Sequence, residues 1–494
     1  MSEVEHLDVL VVGAGLSGID AGYWLKTGSP DRSWAIFEAR DAIGGTWDLF
    51  RYPGIRSDSD MTTLGFPFRP WHGPKAIADG SDIRDYIEDT AREFGIDRRI
   101  RMRHCVTGAE WSSVEALWTI SYTVDGEPRR LTCSFLFLCS GYYDYAEGHS
   151  PTWPAVDAFE GAMVHPQFWP EDLVVAGKKV VVIGSGATAV TLVPALVAKG
   201  AAHVTMLQRS PTYIISKPSR DERGATLRRR LPASIADAAI RWKNIGYGIF
   251  VYNASRKRPD LVKDKIAAQQ KALLGPDFDI ARHLTPKYNP WDQRLCLVPD
   301  GDLFKVLRAE QATIVTDQIE RFTPQGVQLA SGGELKADVV VTATGLKLKI
   351  MGGASLKVDG ETVEPGTRLL YKGAMLEGVP NFAFAVGYTN ASWTLKCDLT
   401  SQYVSRLLNH MAAHGQASAT PVAPLDTAVE ESMLDLQSGY VERARKILPR
   451  QGARAPWKTN QNYVRDLFAF RTGRINDGVL RFDTRQIGAR EKAA

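Results

Sequence analysis

The fold of this chain is decided by residues 7–18, LDVLVVGAGLSG, a short apolar run that ends in a glycine turn. Residues 19–26 follow with helical composition, and residues 34–37 form a second apolar run. This strand–turn–helix–strand order is the context in which a G-x-G-x-x-G motif binds a dinucleotide. The glycines let the backbone approach a pyrophosphate, while the helix N-terminus offers N–H groups to it. The sequence therefore predicts a nucleotide site at Gly13, Gly15 and Gly18.

The acid that ends the second run, Glu38, completes this first unit. It lies 20 residues after Gly18 and is placed to accept hydrogen bonds from ribose hydroxyls.

A second unit of the same kind begins with the apolar run 179–183 and continues through a helix to the strand 203–207. Its turn predicts binding residues Gly184, Ser185, Gly186 and Thr188. Counting from the two turns pairs Glu38 with Arg209, which is followed by Ser210. A carboxylate suits a free 2′-hydroxyl, whereas a guanidinium pairs with a 2′-phosphate. The second nucleotide is therefore predicted to be NADP(H), and the first is not.

Between the two turns lie residues 159–170, FEGAMVHPQFWP. Two prolines, a glycine and bulky aromatic residues favour a packed connecting loop over a helix or a strand. One interpretation is an aromatic linker that only packs two domains together. However, the pattern F-x-G-x-x-x-H-x-x-x-W-P resembles the fingerprint of type I Baeyer–Villiger monooxygenases. Its specified residues are Phe159, Gly161, His165, Trp169 and Pro170.

Residues 44–58, GGTWDLFRYPGIRSD, resemble the second signature of the same family, G-G-x-W followed by Y-P-G-x-x-x-D. Two adjacent glycines suggest another close approach to a cofactor. The resemblance implies that Gly45, Thr46 and Trp47 bind FAD and that Asp58 faces the catalytic centre. Taken alone, the segment could equally be a turn-rich loop with a solvated Asp58.

Residues 288–299, YNPWDQRLCLVP, supply the predicted catalytic cation. The resemblance implies that Arg294 lies against the flavin, with Asp58 holding it in place. Many members of the family have a lysine directly before this arginine that also touches the 2′-phosphate. Here Gln293 stands in that position, so Arg209 lacks the expected second cation.

Taken together, the motifs indicate an enzyme closest to the ethionamide-activating monooxygenase branch of that family. The resemblance implies that FAD and NADPH, through a C4a-peroxyflavin formed with O2, insert one oxygen atom into small ketones to give esters or lactones. It also implies oxidation of organosulfur substrates such as thioethers or thioamides. The alternatives are a flavin-dependent N- or S-oxygenase and an uncoupled NADPH oxidase or redox-binding flavoprotein. No metal site is predicted.

The predicted fold class is α/β, with two Rossmann-like dinucleotide-binding domains. The FAD-binding domain is predicted over 1–150 and 376–494, and the NADP-binding domain over 151–215 and 325–375. A helical insertion is predicted over 216–324. Its basic part, residues 220–271, is interpreted either as an amphipathic helix associated peripherally with a membrane or as helices packed on the NADP domain, and the second is favoured.

Composition limits the classes of partner. The 494 residues carry 60 basic and 56 acidic residues, a net charge of +4, so no nucleic-acid partner is indicated. The uncharged run 180–198 is interrupted by glycines and a proline, which favours a buried strand–turn–helix over a transmembrane segment. The acidic, polar N-terminus argues against a signal peptide, and the five cysteines form no C-x-x-C pair. We therefore expect a cytoplasmic protein.

Overall fold

The structure is a computed structural model that describes residues 4–293, 295–425, 427–434 and 438–484. Its helices are α1 Leu16–Gly28, α2 Thr46–Leu49, α3 Met61–Leu64, α4 Gly80–Glu93, α5 Ala187–Ala198, α6 Glu222–Arg230, α7 Ala233–Lys257, α8 Pro259–Leu274, α9 Ile280–His283, α10 Asp302–Arg308, α11 Trp393–Ala413, α12 Gly439–Ala444 and α13 Tyr463–Arg471.

The strands of the first half are β1 His6–Val12, β2 Trp34–Phe37, β3 Ile100–Arg101, β4 His104–Ser112, β5 Leu117–Val124, β6 Glu127–Leu138, β7 Tyr143–Gly148, β8 Ala162–Val164, β9 Lys179–Ile183, β10 His203–Gln208, β11 Ile214–Lys217 and β12 Cys296–Pro299. The later strands are β13 Ala312–Thr316, β14 Ile319–Thr323, β15 Gly326–Leu329, β16 Glu334–Lys336, β17 Val339–Thr342, β18 Leu346–Leu348, β19 Ser355–Val358, β20 Glu361–Thr362, β21 Leu370–Tyr371, β22 Met375–Leu376, β23 Phe382–Phe384, β24 Gln416–Pro421, β25 Val429–Ser432, β26 Arg450–Gly452 and β27 Leu480–Thr484.

The larger sheet is built around the first glycine turn. Its strand order is β20-β19-β4-β5-β6-β1-β2-β3, and β23 pairs with the C-terminal end of β6. β1 runs parallel to both β2 and β6, and its apolar residues Val9 and Val11 are fully buried. The predicted second strand, residues 34–37, has the same bounds in the structure. Strands β4, β5 and β6 form an antiparallel meander beside this parallel core.

The smaller sheet contains the second glycine turn. Its strands are all parallel, in the order β13-β10-β9-β17-β8. The predicted strand 179–183 is β9, and the predicted helix 188–198 corresponds to α5. The fold therefore contains two βαβ units, the first in a mixed sheet and the second in a wholly parallel sheet. The predicted α/β class with two Rossmann-like units is confirmed.

The sequence predicted a loop over residues 159–170, but part of this segment is a strand. Residues Ala162–Val164 form β8, an edge strand that pairs with β17. The strand forms because Val164 can bury its side chain beneath the sheet, whereas Ala162 and Met163 stay exposed. A short 3₁₀ turn over Pro166–Phe168 follows it. Pairing with β17 therefore makes a strand of residues whose local sequence favours a loop.

Two chain segments that pass between the sheets lie side by side. β7 follows the last strand of the first βαβ unit, and β18 follows β17 of the second. The two strands pair antiparallel, with Leu346 opposite Gly148 and Leu348 opposite Tyr143. This antiparallel pair is called the crossing ribbon below.

Sheet membership differs from the predicted domain boundaries at two places. β13 lies inside the range 216–324 but pairs with β10 of the smaller sheet. β19 lies inside the range 325–375 but pairs with β4 of the larger sheet. The boundaries remain predictions, and these pairings support moving both of them.

The insertion packs against loops of the larger sheet as well as against the second unit. Arg241 on α7 donates to the carbonyl oxygens of Thr62 and Gly65, and Asn244 donates to Asp60. The outer face of α7 keeps large apolar side chains in solvent, with Trp242 48% and Phe250 69% exposed. Among the helices of the described ranges, none is both long and apolar enough to span a membrane.

Candidate active site

A cavity of about 690 Å³ lies between the two glycine turns. The predicted site residues on its wall are Gly13, Gly15, Glu38, Gly45, Thr46, Trp47, Asp58, His165, Gly186 and Thr188. Its size is in the range of small-molecule binding sites, and its wall combines apolar surface with a few polar groups. One cavity thus brings together residues from both turns, from the second signature and from the fingerprint segment.

The first turn is closed so tightly that it requires glycine. Gly13 has φ +105°, and a Cβ there would lie 2.7 Å from the carbonyl oxygen of Cys139. A Cβ on Gly18 would lie 1.8 Å from the carbonyl oxygen of Gly13. By contrast, a Cβ on Gly15 would meet its nearest neighbour, the Cα of Gly45, at 3.5 Å. Gly15 and Gly45 therefore lie backbone to backbone at the cavity wall, where a phosphate can approach.

Glu38 closes this site at the end of β2. Its Oε2 accepts a hydrogen bond of 2.7 Å from the Ala14 N–H, and its Oε1 accepts one of 3.0 Å from the Arg40 N–H. The side chain is buried at the cavity wall. An ionised carboxylate has about four acceptor positions, so two remain for ribose hydroxyls.

The loop after Glu38 is held by an ion pair that sequence reasoning missed. Nη2 of Arg40 lies 2.6 Å from Oδ2 of the buried Asp48, which also pairs with Arg51. The Arg40 guanidinium lies 6.0 Å from the ring centre of Tyr145. The Tyr145 hydroxyl is 3.4 Å from that of Thr46, and burial raises the pKa of this phenol. The sequence did not predict a role for Arg40 or Tyr145, because these two residues are about 100 positions apart and meet only in the folded chain.

The Y-P-G part of the second signature packs on the second nucleotide unit. Gly54 has φ +77°, and a Cβ there would lie 2.7 Å from the Cβ of Ala195 on α5. Burial raises the pKa of Tyr52 to about 12, while a hydrogen bond with Thr188 opposes that rise. The glycine is therefore required by contact with α5, and the tyrosine contacts the start of the same helix.

The second turn repeats the first with one difference. A Cβ on Gly184 would lie 2.2 Å from the carbonyl oxygen of Ala343, as one on Gly13 would meet Cys139. A Cβ on Gly186 would meet no atom within 4 Å. The third position, glycine in the first turn, is the fully buried Ala189 here. The second turn is thus more open and leaves room for a ligand at the N-terminus of α5.

The register of the two units differs by one residue from the count made on the sequence. The Gly13 N–H donates to the carbonyl of Phe37, and the Gly184 N–H donates to that of Leu207. Gln208, not Arg209, therefore occupies the position of Glu38. The shift arises because these partners are 23 positions apart in the second unit and 24 positions apart in the first. Arg209 and Ser210 follow β10 directly and are exposed.

Ser185 and Gly184 support the second turn from outside the cavity. The Ser185 hydroxyl donates to the carbonyl of Ser210 at 3.0 Å, which ties the turn to the end of β10. Arg209 and Ser210 also lie beyond the residues that line the cavity. The two residues predicted to bind the 2′-phosphate therefore lie on the surface at the end of β10, outside the cavity wall.

His165 of the fingerprint segment lies against the crossing ribbon. Its Nδ1 accepts a hydrogen bond of 3.2 Å from the Gln167 N–H, and burial lowers its pKa. A Cβ on Gly148 would lie 2.1 Å from Cε1 of His165, so only a glycine in β7 leaves space for the ring. The ring also contacts the backbone of Gly345, which precedes β18.

The other fingerprint residues shape the segment from outside the cavity. A Cβ on Gly161 would lie 2.4 Å from the ring of Phe159 and 2.6 Å from the carbonyl of Asp338. Phe159 packs near Phe322, and Trp169 packs beside the core of the smaller sheet. The carbonyl of Pro170 accepts a hydrogen bond from the Leu173 N–H.

The two predicted catalytic residues have different outcomes. Asp58 is an exposed side chain on the cavity wall. Arg294 lies outside the described residues, although Gln293 and Leu295 on either side of it both line the cavity. Arg56, also on the wall, forms an ion pair with Asp302 of α10.

An aromatic wall faces the remaining space of the cavity. Its members are Trp47, Phe50, Tyr52, Tyr142, Tyr143 and Trp393. Ring centres of Tyr142 and Trp393 are 5.0 Å apart, and those of Phe50 and Tyr143 are 6.3 Å apart. The Trp393 Nε1–H donates to the hydroxyl of Ser17 in the first turn at 2.9 Å, which fixes the indole. Such a wall favours apolar organic ligands.

Within the described ranges, no cluster of three or more His, Cys, Asp or Glu side chains could hold a metal ion. All five cysteines are free, and Cys105 is the exposed one.

Comparison with known proteins agrees with this geometry. Residues 7–227 match the family model described as flavin-binding monooxygenase-like. The FAD-containing monooxygenase EthA of Mycobacterium tuberculosis is 53% identical over 481 residues, covering 97% of this chain and 98% of that protein. The chain belongs to the flavin-binding monooxygenase-like family. The probable FAD-binding monooxygenase AlmA of Acinetobacter baylyi is 47% identical over 97% of this chain and 96% of its own length.

Solved structures show the same fold. A steroid monooxygenase bound to NADP superposes with a TM-score of 0.75 at 22% identity, covering 97% of this chain and 99% of its own. The open form of cyclohexanone monooxygenase gives a TM-score of 0.74 at 21% identity, covering 97% and 100%. The two signatures predicted a flavin-dependent monooxygenase, and the identity to EthA confirms that prediction.

The first turn of this family member fits a flavin dinucleotide. The backbone at Gly13 and Gly18 leaves no room for side chains, Gly15 lies against Gly45 at the cavity wall, and Glu38 keeps acceptor capacity toward the cavity.

Proposed function

We propose that this chain is an NADPH-dependent Baeyer–Villiger monooxygenase that uses FAD and O2. Its substrates are small ketones, which it converts to esters or lactones, and organosulfur compounds such as thioethers or thioamides. The observation that carries the proposal is the position of His165, between the two nucleotide units and against the crossing ribbon. The segment that carries it holds the full pattern of the Baeyer–Villiger fingerprint.

The two cofactors would be held by different chemistry at the two turns. Gly13, Gly15 and Gly18 would accept the pyrophosphate of FAD, and Glu38 would bind its adenosine ribose. Gly186 and the N-terminus of α5 would accept the pyrophosphate of NADPH. Arg209 and Ser210 would bind the 2′-phosphate, because a guanidinium gives two parallel hydrogen bonds to an anion.

His165 would keep the two units in a fixed relation. Its ring fills the space that Gly148 leaves at the end of β7 and touches Gly345, which precedes β18. The ring therefore contacts the crossing ribbon where β7 ends and β18 begins. Because burial lowers its pKa, the ring is neutral at physiological pH and acts by shape. Its role is therefore positional, not bond-making.

When bound, reduced FAD activates O2 and NADPH supplies the reducing equivalents. Around them, the aromatic wall would hold an apolar substrate and exclude water. Arg294 would place a permanent positive charge where negative charge develops on oxygen, and Asp58 would orient that arginine. Support for Arg294 comes from the resemblance and from its sequence neighbours Gln293 and Leu295, which line the cavity.

The test is a panel of ketones, thioethers and amines, each incubated with the FAD-loaded protein and NADPH. Oxygenated product is measured per NADPH consumed, with 18O2 to trace the source of the oxygen. Ester or lactone that carries one 18O atom is the expected result. NADPH consumption without organic product from any compound would contradict the proposal and favour an NADPH oxidase. Products from amines or thioethers alone would favour an N- or S-oxygenase.

Arg294→Ala provides the first residue-level check. The variant should consume NADPH but make about 10²–10³-fold less ester, as expected when one group that stabilises a developing oxyanion is lost. Hydrogen peroxide should account for the missing product. Arg308→Ala, an exposed arginine at the end of α10, serves as the control and should behave as wild type. Undiminished ester from Arg294→Ala would remove this residue from the mechanism.

A further inference from the structure

One buried polar atom at the cavity, on Gln167, has no hydrogen-bond partner in the described part of the chain. Gln167 is only 3% exposed and lines the cavity. Its amide nitrogen donates to the carbonyl oxygens of Asp144 at 2.8 Å and Tyr145 at 3.1 Å. Its amide oxygen has no hydrogen-bond partner among the described residues.

The orientation of this amide is determined by its surroundings. Both contacts of the nitrogen are with carbonyl oxygens, which can only accept hydrogen bonds. A flipped amide would place its oxygen against two other oxygens, so the acceptor atom must be the one left over. A buried acceptor without a donor is destabilising, and such groups are rare in native proteins unless a ligand or water completes them.

The position of Gln167 indicates which ligand supplies the donor. Its backbone N–H is bonded to His165, which touches the crossing ribbon next to Gly345 of the second unit. Its side chain is bonded to the backbone of Tyr145, whose hydroxyl lies beside Thr46 of the FAD loop. Gln167 therefore lies where the FAD and NADPH sites meet in the one cavity.

We propose that the Gln167 amide oxygen is a cofactor-binding group that accepts a hydrogen bond from an N–H or O–H donor of a bound dinucleotide. This inference rests on the proposed function. FAD offers such donors on its ribityl chain and flavin ring, and NADPH offers them on its carboxamide and ribose. The same side chain anchors the fingerprint segment to β7, so cofactor binding and the position of His165 are linked through one amide.

The test uses Gln167→Met, which keeps the length of the side chain but removes both the acceptor oxygen and the donor nitrogen, and the control below removes a comparable donor. The affinity of the apoprotein for FAD and the affinity of the FAD-loaded protein for NADP⁺ are measured separately by fluorescence titration. We expect about a tenfold loss in at least one of the two, and the arm that responds identifies the cofactor. Affinities within twofold of wild type in both arms would overturn the proposal.

The matched control is Gln270→Met. Gln270 is also buried and donates from its amide to a backbone carbonyl, that of Ile214, but it lies outside the cavity wall. This variant should leave both affinities unchanged. If the wild-type protein bound neither nucleotide, the proposed function itself would fail, which is a different outcome.

A second variant covers the case in which Gln167→Met does not fold. Gln167→Glu, in its neutral form, keeps an acceptor for the ligand and one donor for Tyr145. As a carboxylate it has no donor for either carbonyl oxygen and is repelled by both, so the side chain cannot keep its position at the cavity. The nearby titratable groups, Asp144, Tyr145, His165 and Lys349, are shared with wild type. Nucleotide affinity that rises toward wild type only in the variant as the pH falls supports the proposal, and affinity independent of pH overturns it.

Discussion

Arg209 is an exposed side chain whose proposed role is to bind the 2′-phosphate of NADPH. It lies at the end of β10, beyond the buried Gln208, with no carboxylate of the described chain within ion-pair distance. Arg209→Ala should raise the Michaelis constant for NADPH about 10- to 100-fold, the size of a charge-assisted hydrogen bond to a phosphate. The constant for NADH should change little, because NADH lacks the 2′-phosphate. Equal effects on both nucleotides in steady-state kinetics would show that Arg209 does not read that group.

Asp20 is a fully buried carboxyl on α1 that faces Asp398 of α11. Burial, and then the neighbouring Asp398, raise the pKa of Asp20 well above its usual value. The unfolded chain loses this proton first, near pH 4. The stabilising contribution of Asp20 is therefore complete below about pH 4 and is lost as the pH rises through the folded-state pKa.

Asp20→Asn should remove this dependence, because an amide of the same shape does not ionise. The variant should melt higher than wild type at about pH 8 and should gain less at about pH 5, as measured by thermal unfolding. Asp264→Asn, on the exposed face of α8, is the control and should follow wild type at both pH values. A wild-type protein that becomes more stable between those pH values relative to Asp20→Asn would reverse the assignment.

At the scale of elements, the fit of the fingerprint segment on β7 depends on one missing side chain. Gly148→Ala would place a methyl group 2.1 Å from the His165 ring. Such overpacking should cost about 1–3 kcal/mol of unfolding free energy. The double variant Gly148→Ala/His165→Ala should recover part of that loss, because the ring that clashes is gone.

The control for this cycle is Gly246→Ala on α7, where an added Cβ meets no atom within 4 Å. That change should stabilise the protein by about 0.5–1 kcal/mol, as expected when alanine replaces glycine inside a helix. Chemical denaturation measures the wild type, Gly148→Ala, His165→Ala, the double variant and the control. Additive effects of the two changes in the cycle would mean that His165 and residue 148 do not touch.

Elements with strong local signals were predicted well from the sequence. Strands 34–37 and 179–183 match the structure to the residue, since each is a β-rich run stopped by a turn. Helix α11 begins at Trp393, and Thr400 lies inside it. Thr400 does not cap it; its hydroxyl bonds to the carbonyl of Lys396 inside the helix. A threonine that bonds back by four residues is indistinguishable by type from one that caps.

Site residues that belong to a sequence motif were predicted, whereas those whose contacts come from distant parts of the chain were missed. Gly13, Gly15, Gly186, Thr188 and Asp58 line the cavity, whereas Gly18, Gly184 and Ser185 do not. Gln167 occupies an unspecified position of the fingerprint, and its partners Asp144 and Tyr145 are more than 20 residues away. The offset of Arg209 relative to Glu38 was also missed, because a connection shortened by one residue leaves no mark on the strands themselves.

At the scale of the whole molecule, FAD binding should stabilise the fold by mass action. The first turn, the 44–58 loop and the strand end at Glu38 all belong to the larger sheet or pack on it. At a free FAD concentration 100 times its dissociation constant, the gain is about 2.7 kcal/mol. The apoprotein should therefore unfold at a lower temperature, as followed by differential scanning fluorimetry. FMN, which lacks the adenosine that Glu38 would recognise, should give a smaller shift.

The pairing of β23 with β6 also sets an order of assembly. Residues 382–384 complete the larger sheet next to residues 136–138, while the smaller sheet uses only residues 162–342. On the ribosome, at about 5–20 residues per second, the end of β6 waits roughly 12–50 s for its partner strand. During that interval the smaller sheet can close, but the larger one keeps an open edge exposed to other chains. The nascent protein thus needs protection at this edge of β6 until residues 382–384 have been made.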